Sequence, residues 1–303
     1  MGKKQDKLNQ DISLVHKLYP DFQEISPLLE AAYEGEKEFY RDHPEIIGSY
    51  TPDDSHQQIR RKFIDDISLG LGNLSIKASS FKKLLTSVAR KVGQEIPEAK
   101  KTMEELESYL PSLFPAAQEN TTKDQVLLYQ NRAVEETSLQ NDLASFLFHF
   151  TLSSIYRQSL EGLVKELDTS PWRRGDCPVC EERPHYGILR QEDGAKILEC
   201  WLCGTRWQHT RVQCPGCANH HQGRLGLFTV EGEEVCRIQY CQECSGYYKV
   251  FDLRQLERED ISLYMLHLAT LYHELLAHNE GFSPVSGLEW INREELSGIN
   301  TTH

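Results

Sequence analysis

All nine cysteines of the 303-residue chain lie in one stretch, and this placement constrains the fold more than any other feature. The first is Cys177 and the last is Cys244, so the preceding 176 residues contain none. A secreted disulfide scaffold spreads its cysteines over the whole chain. This sequence instead predicts a cysteine-free part joined to a cysteine-dense part.

Eight of the nine cysteines form four Cys-x-x-Cys pairs. The pairs are Cys177-Pro-Val-Cys180, Cys200-Trp-Leu-Cys203, Cys214-Pro-Gly-Cys217 and Cys241-Gln-Glu-Cys244. A two-residue gap lets both thiolates of a turn, here called a knuckle, face one cation, and two facing knuckles complete a tetrahedral four-sulfur site. Gaps of 19 residues between the first two pairs and 23 between the last two suit a hairpin between knuckles. The sequence therefore predicts two metal sites, one from Cys177, Cys180, Cys200 and Cys203, the other from Cys214, Cys217, Cys241 and Cys244.

The sequence says less about the identity of the metal and about the roles of the unpaired cysteine and the nearby histidines. Four thiolates suit Zn²⁺ or a single iron, whereas an iron–sulfur cluster usually has other spacing. Cys236 lies outside every pair, and we interpret it as a small buried residue, with a reactive thiol or spare ligand as the alternative. Nearby histidines are also possible ligands, but the eight paired cysteines already fill two sites. These histidines are His185, His209, His220 and His221.

No motif of a known catalytic site is present. The sequence lacks Gly-x-Ser-x-Gly, a P-loop, Gly-x-Gly-x-x-Gly and His-Glu-x-x-His. A site closed by four cysteines has no open position for a substrate, and no βαβ pattern supports a thioredoxin-like centre. We expect a metal-stabilised binding protein rather than an enzyme.

Charge argues against a nucleic-acid partner without removing the possibility. The chain has 33 basic and 46 acidic residues, a formal charge of -13, which disfavours phosphate backbones and anionic membranes. The segment 171–230, however, contains 8 basic and 6 acidic residues. Zinc ribbons with exposed aromatic side chains can also bind single-stranded nucleic acid. That interface would consist of basic and aromatic side chains. They are Arg173, Arg174, Arg183, Arg190, Arg206, Arg211, Trp172, Trp201 and Trp207. A rubredoxin-like redox protein is the other alternative.

Two features predict a cytoplasmic protein. No apolar run approaches the ~20 residues of a membrane span, so we expect no stable membrane insertion. The N-terminus lacks the apolar segment of a secretory signal. Thiols stay reduced in the cytoplasm, where clustered cysteines more often bind metal.

Hydrophobic spacing predicts helices through most of residues 1–170. Ser26-Pro27 is a typical helix start, and further helices are expected near 55–69 and over 74–93, 98–109, 123–136 and 138–167. Pro111 and Pro115 should end the helix over 98–109. The stretch around 146–150 is apolar on nearly every side, which indicates a central buried helix. An all-α bundle is the expected architecture.

Thr169-Ser170-Pro171 marks the predicted boundary. Strands are expected near 186–190, 226–230, 236–240 and 247–251, and one last helix carries Ile261, Met265, Leu268, Tyr272 and Leu275 on one face, with Gly281 as its C-cap. The predicted fold is α+β and multidomain. Its segments are a helical domain (1–170), a first four-cysteine ribbon (171–210), a second four-cysteine ribbon (211–255), and a C-terminal helix and tail (256–303).

The cysteine-dense part resembles the FdhE family, accessory proteins for the formation of formate dehydrogenase. The resemblance lies in Pro171-Trp-Arg-Arg-Gly-Asp-Cys-Pro-Val-Cys180, Leu198-Glu-Cys-Trp-Leu-Cys-Gly-Thr-Arg-Trp207, Arg211-Val-Gln-Cys-Pro-Gly-Cys217, Tyr240-Cys-Gln-Glu-Cys-Ser-Gly-Tyr-Tyr-Lys249 and Leu268-Ala-Thr-Leu-Tyr-His-Glu-Leu-Leu-Ala277. It covers about 171–282. The family's first pair is often followed by glycine, where this chain has Glu181, and among the four pairs only the second is followed by glycine, Gly204.

The resemblance implies a cytoplasmic maturation chaperone with rubredoxin-like iron or zinc sites. Such a protein binds the catalytic subunit of a respiratory, molybdenum- or tungsten-dependent formate dehydrogenase and supports its assembly, with no assignable catalytic residue. Candidate contacts with this partner are Arg173, Arg174, Arg206 and Trp207, although Trp172 and Trp207 could instead pack against the ribbons. The oligomeric state is left open.

Overall fold

The computed structural model describes residues 2–47, 69–71 and 74–288, and the chain divides into two compact units. The helical unit comprises Ser26–Arg60 and Leu69–Leu167. The cysteine unit comprises Met1–Ile25, Arg61–Ser68 and Asp168–His303. The helix expected near 55–69 falls almost wholly outside the described residues.

The cysteine unit begins with helix α1 (Gly2–Leu18), which no predicted helix anticipated. Its buried face carries Ile12 and Val15. Asp11, only 2% exposed, accepts hydrogen bonds from the guanidinium of Arg258 and, at 3.2 Å, from the backbone N–H of Ser262. These bonds tie α1 to the C-terminal part of the same unit.

The helical unit is a bundle, as the sequence predicted for most of residues 1–170. Its helices are α2 (Ser26–Asp42), α3 (Ala78–Glu95), α4 (Lys100–Leu113), α5 (Lys123–Glu136), α6 (Asn141–Ser159) and α7 (Glu161–Glu166). A two-residue antiparallel pair, β1 (Ile76–Lys77) and β2 (Asn120–Thr121), accompanies them. Every residue from Phe146 to Leu152 is buried, so α6 is the central helix expected from its apolar sequence.

Local sequence explains three details of this bundle. The hydroxyl of Thr122 and the side chain of Gln125 form a capping box, which starts α5 at the predicted residue. Gly35 allows α2 to lie against α3, because a Cβ there would be 2.8 Å from the Ser87 carbonyl oxygen. Helix α4 continues through Pro111, where we expected it to end, and thereby buries Leu113.

The cysteine unit is built on a seven-stranded sheet that contains two similar ribbons. The first ribbon has β3 (Tyr186–Leu189), β4 (Lys196–Glu199) and β5 (Arg206–Gln208), and the second has β6 (Leu225–Phe228), β7 (Cys236–Cys241) and β8 (Gly246–Asp252). Strands within each ribbon are antiparallel, and a parallel pairing of β3 with β8 joins the ribbons in the order β5-β4-β3-β8-β7-β6. The short β9 (Ser283–Pro284) adds to β8. The repeated strand order places a knuckle at corresponding positions of both ribbons.

Two helices, rather than the single one predicted, follow the sheet. They are α8 (Leu263–Ala269) and α9 (Leu271–Asn279), separated at Thr270, whose hydroxyl donates to the Leu266 carbonyl at 2.7 Å. Gly281 ends α9 with a φ of +85°, as its predicted C-cap role requires. The break turns α9 so that His273 and Glu274 are buried, whereas Tyr272 of the predicted apolar face is 47% exposed.

The structure confirms a mixed helical and sheet, multidomain protein with two four-cysteine clusters. The helical unit ends at Leu167, near the predicted boundary, but Met1–Ile25 group with the cysteine unit. The division into segments 1–170, 171–210, 211–255 and 256–303 stays a prediction. None of the described helices combines the length and apolarity needed to cross a membrane.

Candidate metal centres

All four knuckles share one backbone geometry. In each, the residue after the second cysteine is in the left-handed region: Glu181 (φ 63°), Gly204 (74°), Ala218 (61°) and Ser245 (51°). The N–H groups of Glu181, Gly204 and Ala218 each donate to the carbonyl of the first cysteine of their knuckle, at 2.9–3.0 Å. The missing glycines therefore leave the turn unchanged, although a side chain in this region costs about 1–2 kcal/mol.

The first cluster consists of Cys177, Cys180, Cys200 and Cys203. The sulfur–sulfur distances are 3.6 Å for Cys177–Cys203, 3.4 Å for Cys180–Cys200 and 3.6 Å for Cys180–Cys203. The N–H of Val179 points at the Cys177 sulfur over 3.4 Å. None of these four cysteines is more than 3% exposed.

The second cluster consists of Cys214, Cys217, Cys241 and Cys244. The sulfurs of Cys214 and Cys244 are 3.7 Å apart, as are those of Cys217 and Cys241. The Gly216 N–H donates to the Cys214 sulfur at 3.3 Å, which repeats the contact made by Val179 in the first cluster. Cys217 and Cys244 are exposed, unlike any cysteine of the first cluster.

Both clusters fit a tetrahedral metal ion. A metal–sulfur bond of about 2.3 Å places the sulfurs of a tetrahedron about 3.8 Å apart, whereas a disulfide bond is about 2.05 Å long. The observed 3.4–3.7 Å match the first arrangement, and none of the nine cysteines forms a disulfide bond. The structure thus brings together the two predicted cysteine sets, which could hold two metal ions. Four thiolates suit Zn²⁺ and iron alike.

The other candidate ligands lie outside both clusters. His185 and His209 are buried elsewhere, and burial with the nearby charge of Lys196 lowers the pKa of His209 to about 4. His220 and His221 are exposed and stacked with ring centroids 5.8 Å apart. Cys236 is wholly buried on β7, and burial raises the pKa of its thiol to about 12. It is the small buried residue that the sequence predicted.

Lys249 is the centre of a buried polar cluster that we did not predict. Its ammonium, wholly buried on β8, lies 2.8 Å from Oε1 of Glu274 and 3.1 Å from Nδ1 of His267, and it donates to the His267 carbonyl at 2.9 Å. His185 Nε2 lies 3.2 Å from the same Glu274 oxygen, and the Tyr247 hydroxyl donates to Oε2 at 3.1 Å. The cluster therefore joins both ribbons to helices α8 and α9.

Electrostatics favour the charged form of the Glu274 carboxyl. Burial alone would raise the pKa of Glu274, but the ammonium of Lys249 and the imidazole of His185 outweigh it and hold that pKa well below its usual range. His185, His267 and Glu274 form a possible metal-binding triad. The ammonium of Lys249 already supplies a positive charge to the same Glu274 and His267 atoms. The sequence sign of this cluster was a lysine and a glutamate at positions surrounded by apolar and aromatic residues.

The four predicted partner contacts differ in accessibility. Arg173, Arg174 and Arg206 are exposed. Arg174 pairs with Asp176 at 2.7 Å, and Arg206 pairs with Glu199 at 2.7 Å. Trp207 is 1% exposed, because its ring fills the core of the first ribbon and its Nε1 donates to the Arg174 carbonyl at 2.9 Å. It is therefore unavailable to a partner, and three arginines remain as candidate contacts.

The tryptophans expected at a nucleic-acid interface are buried. Trp172 and Trp201 are 0% and 3% exposed, and their indole N–H groups bond within the protein to the Asp176 carbonyl and the Glu182 carboxylate. Trp207 is buried as well. Base stacking needs an accessible ring face, so none of the three can supply it.

Comparisons with known family models, sequences and structures all find FdhE proteins. A family model described as "FdhE, central domain" matches residues 176–211. A "Protein FdhE homolog" from Aquifex aeolicus (strain VF5) is 26% identical over 241 residues, or 73% of this chain and 80% of that protein. "Protein FdhE" from Escherichia coli O157:H7 is 25% identical over 156 residues, or 50% of this chain and 48% of that protein. The match thus spans about half the length of the Escherichia coli relative.

A solved structure shares the fold. The crystal structure of the FdhE protein from Pseudomonas aeruginosa matches with a TM-score of 0.56 and 17% identity, over 92% of both chains. At this identity the similarity shows the fold alone. The matched length includes the helical and the cysteine units.

Proposed function

This chain belongs to the FdhE family, and we propose that it is a non-enzymatic accessory protein that supports the formation of a formate dehydrogenase. The proposal rests on where the first cluster lies in the sequence. All four cysteines of the first cluster lie within residues 176–211, which match the FdhE central domain. The similarity to the family and the first cluster therefore rest on the same residues, which supports a part for the cluster in the proposed role.

The eight clustered cysteines hold two metal ions, iron or zinc, in this proposal. Four thiolates complete a tetrahedral coordination shell and leave no position for a substrate, which is typical of structural sites. Metal binding would then contribute directly to the folding of the ribbons. None of the nine cysteines forms a disulfide bond, and we also propose that the protein works in a reducing compartment, the cytoplasm.

The partner in this proposal is the catalytic subunit of a respiratory formate dehydrogenase, and its contact surface includes Arg173, Arg174 and Arg206. Two contacts bring the backbones of Arg174 and Arg206 to neighbouring positions beside the first cluster: the Thr169 hydroxyl donates to the Arg206 carbonyl at 2.9 Å, and Trp207 donates to the Arg174 carbonyl. Exposed guanidinium groups favour carboxylates on the facing part of the partner, although the net charge of this chain is -13.

A binding experiment tests the proposed partner and surface together. Full-length protein would be immobilised and its affinity for the purified catalytic subunit measured, alongside a variant with Arg173→Gln, Arg174→Gln and Arg206→Gln. We expect specific binding that falls about tenfold or more in the variant, since several interface arginines are lost together. Arg190→Gln is the matched control, because Arg190 also pairs with a nearby aspartate, Asp193, and it should bind like the wild type.

Two results would contradict the proposal. One is normal formate dehydrogenase activity in cells from which the protein has been deleted. The other is the absence of subunit binding together with salt-dependent binding of DNA or RNA, which would favour the nucleic-acid alternative.

A further inference from the structure

The two clusters have the same donors but differ in access from solvent. The cysteines of the first cluster are at most 3% exposed. In the second cluster Cys214 and Cys241 are buried, but Cys217 and Cys244 are exposed. Two cysteine residues of the second cluster are therefore open to an outside molecule, and none of the first cluster is.

The residues inside the knuckles explain this difference. The first cluster is covered by its own knuckle side chains: Val179, Trp201 and Leu202 are 0–3% exposed. The equivalent positions of the second cluster are Gly216, which has no side chain, and Gln242 and Glu243, which are exposed and polar. Apolar cover therefore lies over one cluster and is missing from one side of the other.

Val285 covers the part of the second cluster that lies next to Gly216 and Gly246. A Cβ added at Gly246 would lie 2.7 Å from Cγ1 of Val285 and 3.1 Å from the Cys244 sulfur, and one at Gly216 would lie 3.0 Å from the same Cγ1. Val285 thus packs where the two glycines leave room. Cys217 and Cys244 nevertheless stay exposed, together with the polar pair Gln242 and Glu243.

We propose that the second cluster is an exchange centre, which takes up and releases a thiophilic divalent ion, while the first cluster retains its ion. The inference rests on the proposed function in one respect, that the eight cysteines hold metal. An incoming thiolate or chelator donor forms a bond to the ion as the bond to the Cys244 or Cys217 sulfur breaks. The released thiolate takes a proton from water, and no electron is transferred. The apolar shell of the first cluster denies the incoming donor this approach.

Metal-release kinetics test the proposal on the full-length protein loaded with two Zn²⁺. Excess 4-(2-pyridylazo)resorcinol would be added and zinc transfer followed by absorbance. We expect two phases of one equivalent each, separated by about 10- to 100-fold in rate. Iodoacetamide labelling during the fast phase, read by mass spectrometry, should modify Cys217 and Cys244 before any cysteine of the first cluster.

Matched variants assign the phases. Cys244→Ser should leave one equivalent with slow release, whereas Cys236→Ser, which changes a cysteine outside both clusters, should keep both phases. Two equivalents released at equal rates, or first labelling at any cysteine of the first cluster, would overturn the exchange centre while leaving the metal sites intact. A chain that binds no zinc would instead overturn the metal sites of the proposed function together with this inference.

Discussion

Nη1 of Arg183 donates to the backbone carbonyl of Pro215 over 2.6 Å, and this bond links the two four-cysteine clusters. Arg183 follows the first knuckle of the first cluster, and Pro215 lies inside a knuckle of the second. The same guanidinium also bonds to the Gly216 carbonyl. A Cβ added at Gly175 would lie 2.0 Å from the Pro215 oxygen, so the segment before the first cluster packs directly on the second.

Arg183→Met should weaken metal binding at the second cluster and leave the first unchanged. The variant keeps an unbranched apolar stem but removes the two hydrogen bonds that hold the Cys214 knuckle in place. Loss of such outer contacts typically costs about 10- to 100-fold in metal affinity. Competition with a chelator would measure the affinity of each site, with Arg190→Met as the control. Equal affinities in Arg183→Met and wild-type protein would contradict the role given to Arg183.

The left-handed residues of the knuckles predict opposite effects for two substitutions. Gly204→Ala should destabilise the protein by about 1 kcal/mol, because a Cβ is placed in a region that L-residues avoid. Ala218→Gly should stabilise it by a similar or smaller amount, about 0.5–1 kcal/mol, since the gain is offset by added freedom of the unfolded chain. Urea unfolding of the metal-loaded proteins would measure both. A change of the same sign in the two variants would refute the strain argument.

The buried ion pair between Lys249 and Glu274 predicts that substitutions of the two residues have strongly non-additive effects on the free energy of unfolding. Lys249→Met leaves the Glu274 carboxylate buried without its ammonium and should cost about 3–5 kcal/mol of unfolding free energy. Adding Glu274→Gln removes that buried charge, so the double variant should be more stable than Lys249→Met alone. A double-mutant cycle measured by urea unfolding gives the interaction. Additive effects of the two substitutions would show that the pair does not interact.

His273 predicts a loss of stability in mild acid. Burial, together with the charge of Lys249, lowers the pKa of His273 to about 4 from its ordinary 6.5. The unfolded chain then binds a proton that the folded chain does not, so stability is lost as the pH falls from about 6.5 towards 4. Between pH 7 and pH 5 the wild type should lose about 2 kcal/mol more than His273→Gln. An identical pH dependence in both proteins would exclude this contribution.

Spacing was enough to predict the chemistry of the clusters but not the elements that depend on long-range contacts. The eight paired cysteines were assigned from gaps along the chain, because a knuckle is a local turn. Helix α1 was missed, since its stability comes partly from Asp11 contacting Arg258 and Ser262, about 250 residues away. Strand β4 was missed because Lys196, buried and bonded to the Tyr248 hydroxyl at 2.8 Å, breaks the apolar pattern of a buried strand.

The single C-terminal helix predicted from the sequence is two helices in the structure, and local patterns could not show this. Apolar residues recur through Thr270 at helical spacing, so nothing in the sequence marked a break. The break coincides with tertiary hydrogen bonds, in which Lys249 donates to the His267 carbonyl and, at 3.3 Å, to the Thr270 hydroxyl. Lys249 and Glu274 are unusual in their apolar surroundings, but local patterns could not bring the cluster together, since its members come from β8, α8, α9 and the segment before β3.

Metal content per chain tests the central claim most directly. Elemental analysis of anaerobically purified full-length protein should find two iron or zinc ions per chain, one in the Cys177→Ser/Cys180→Ser variant, and two in the Cys236→Ser control. The double substitution removes two ligands of the first cluster only, which explains the loss of a single ion. Two ions retained after the loss of Cys177 and Cys180, or fewer than two in the wild type, would contradict the assignment of eight cysteines to two sites.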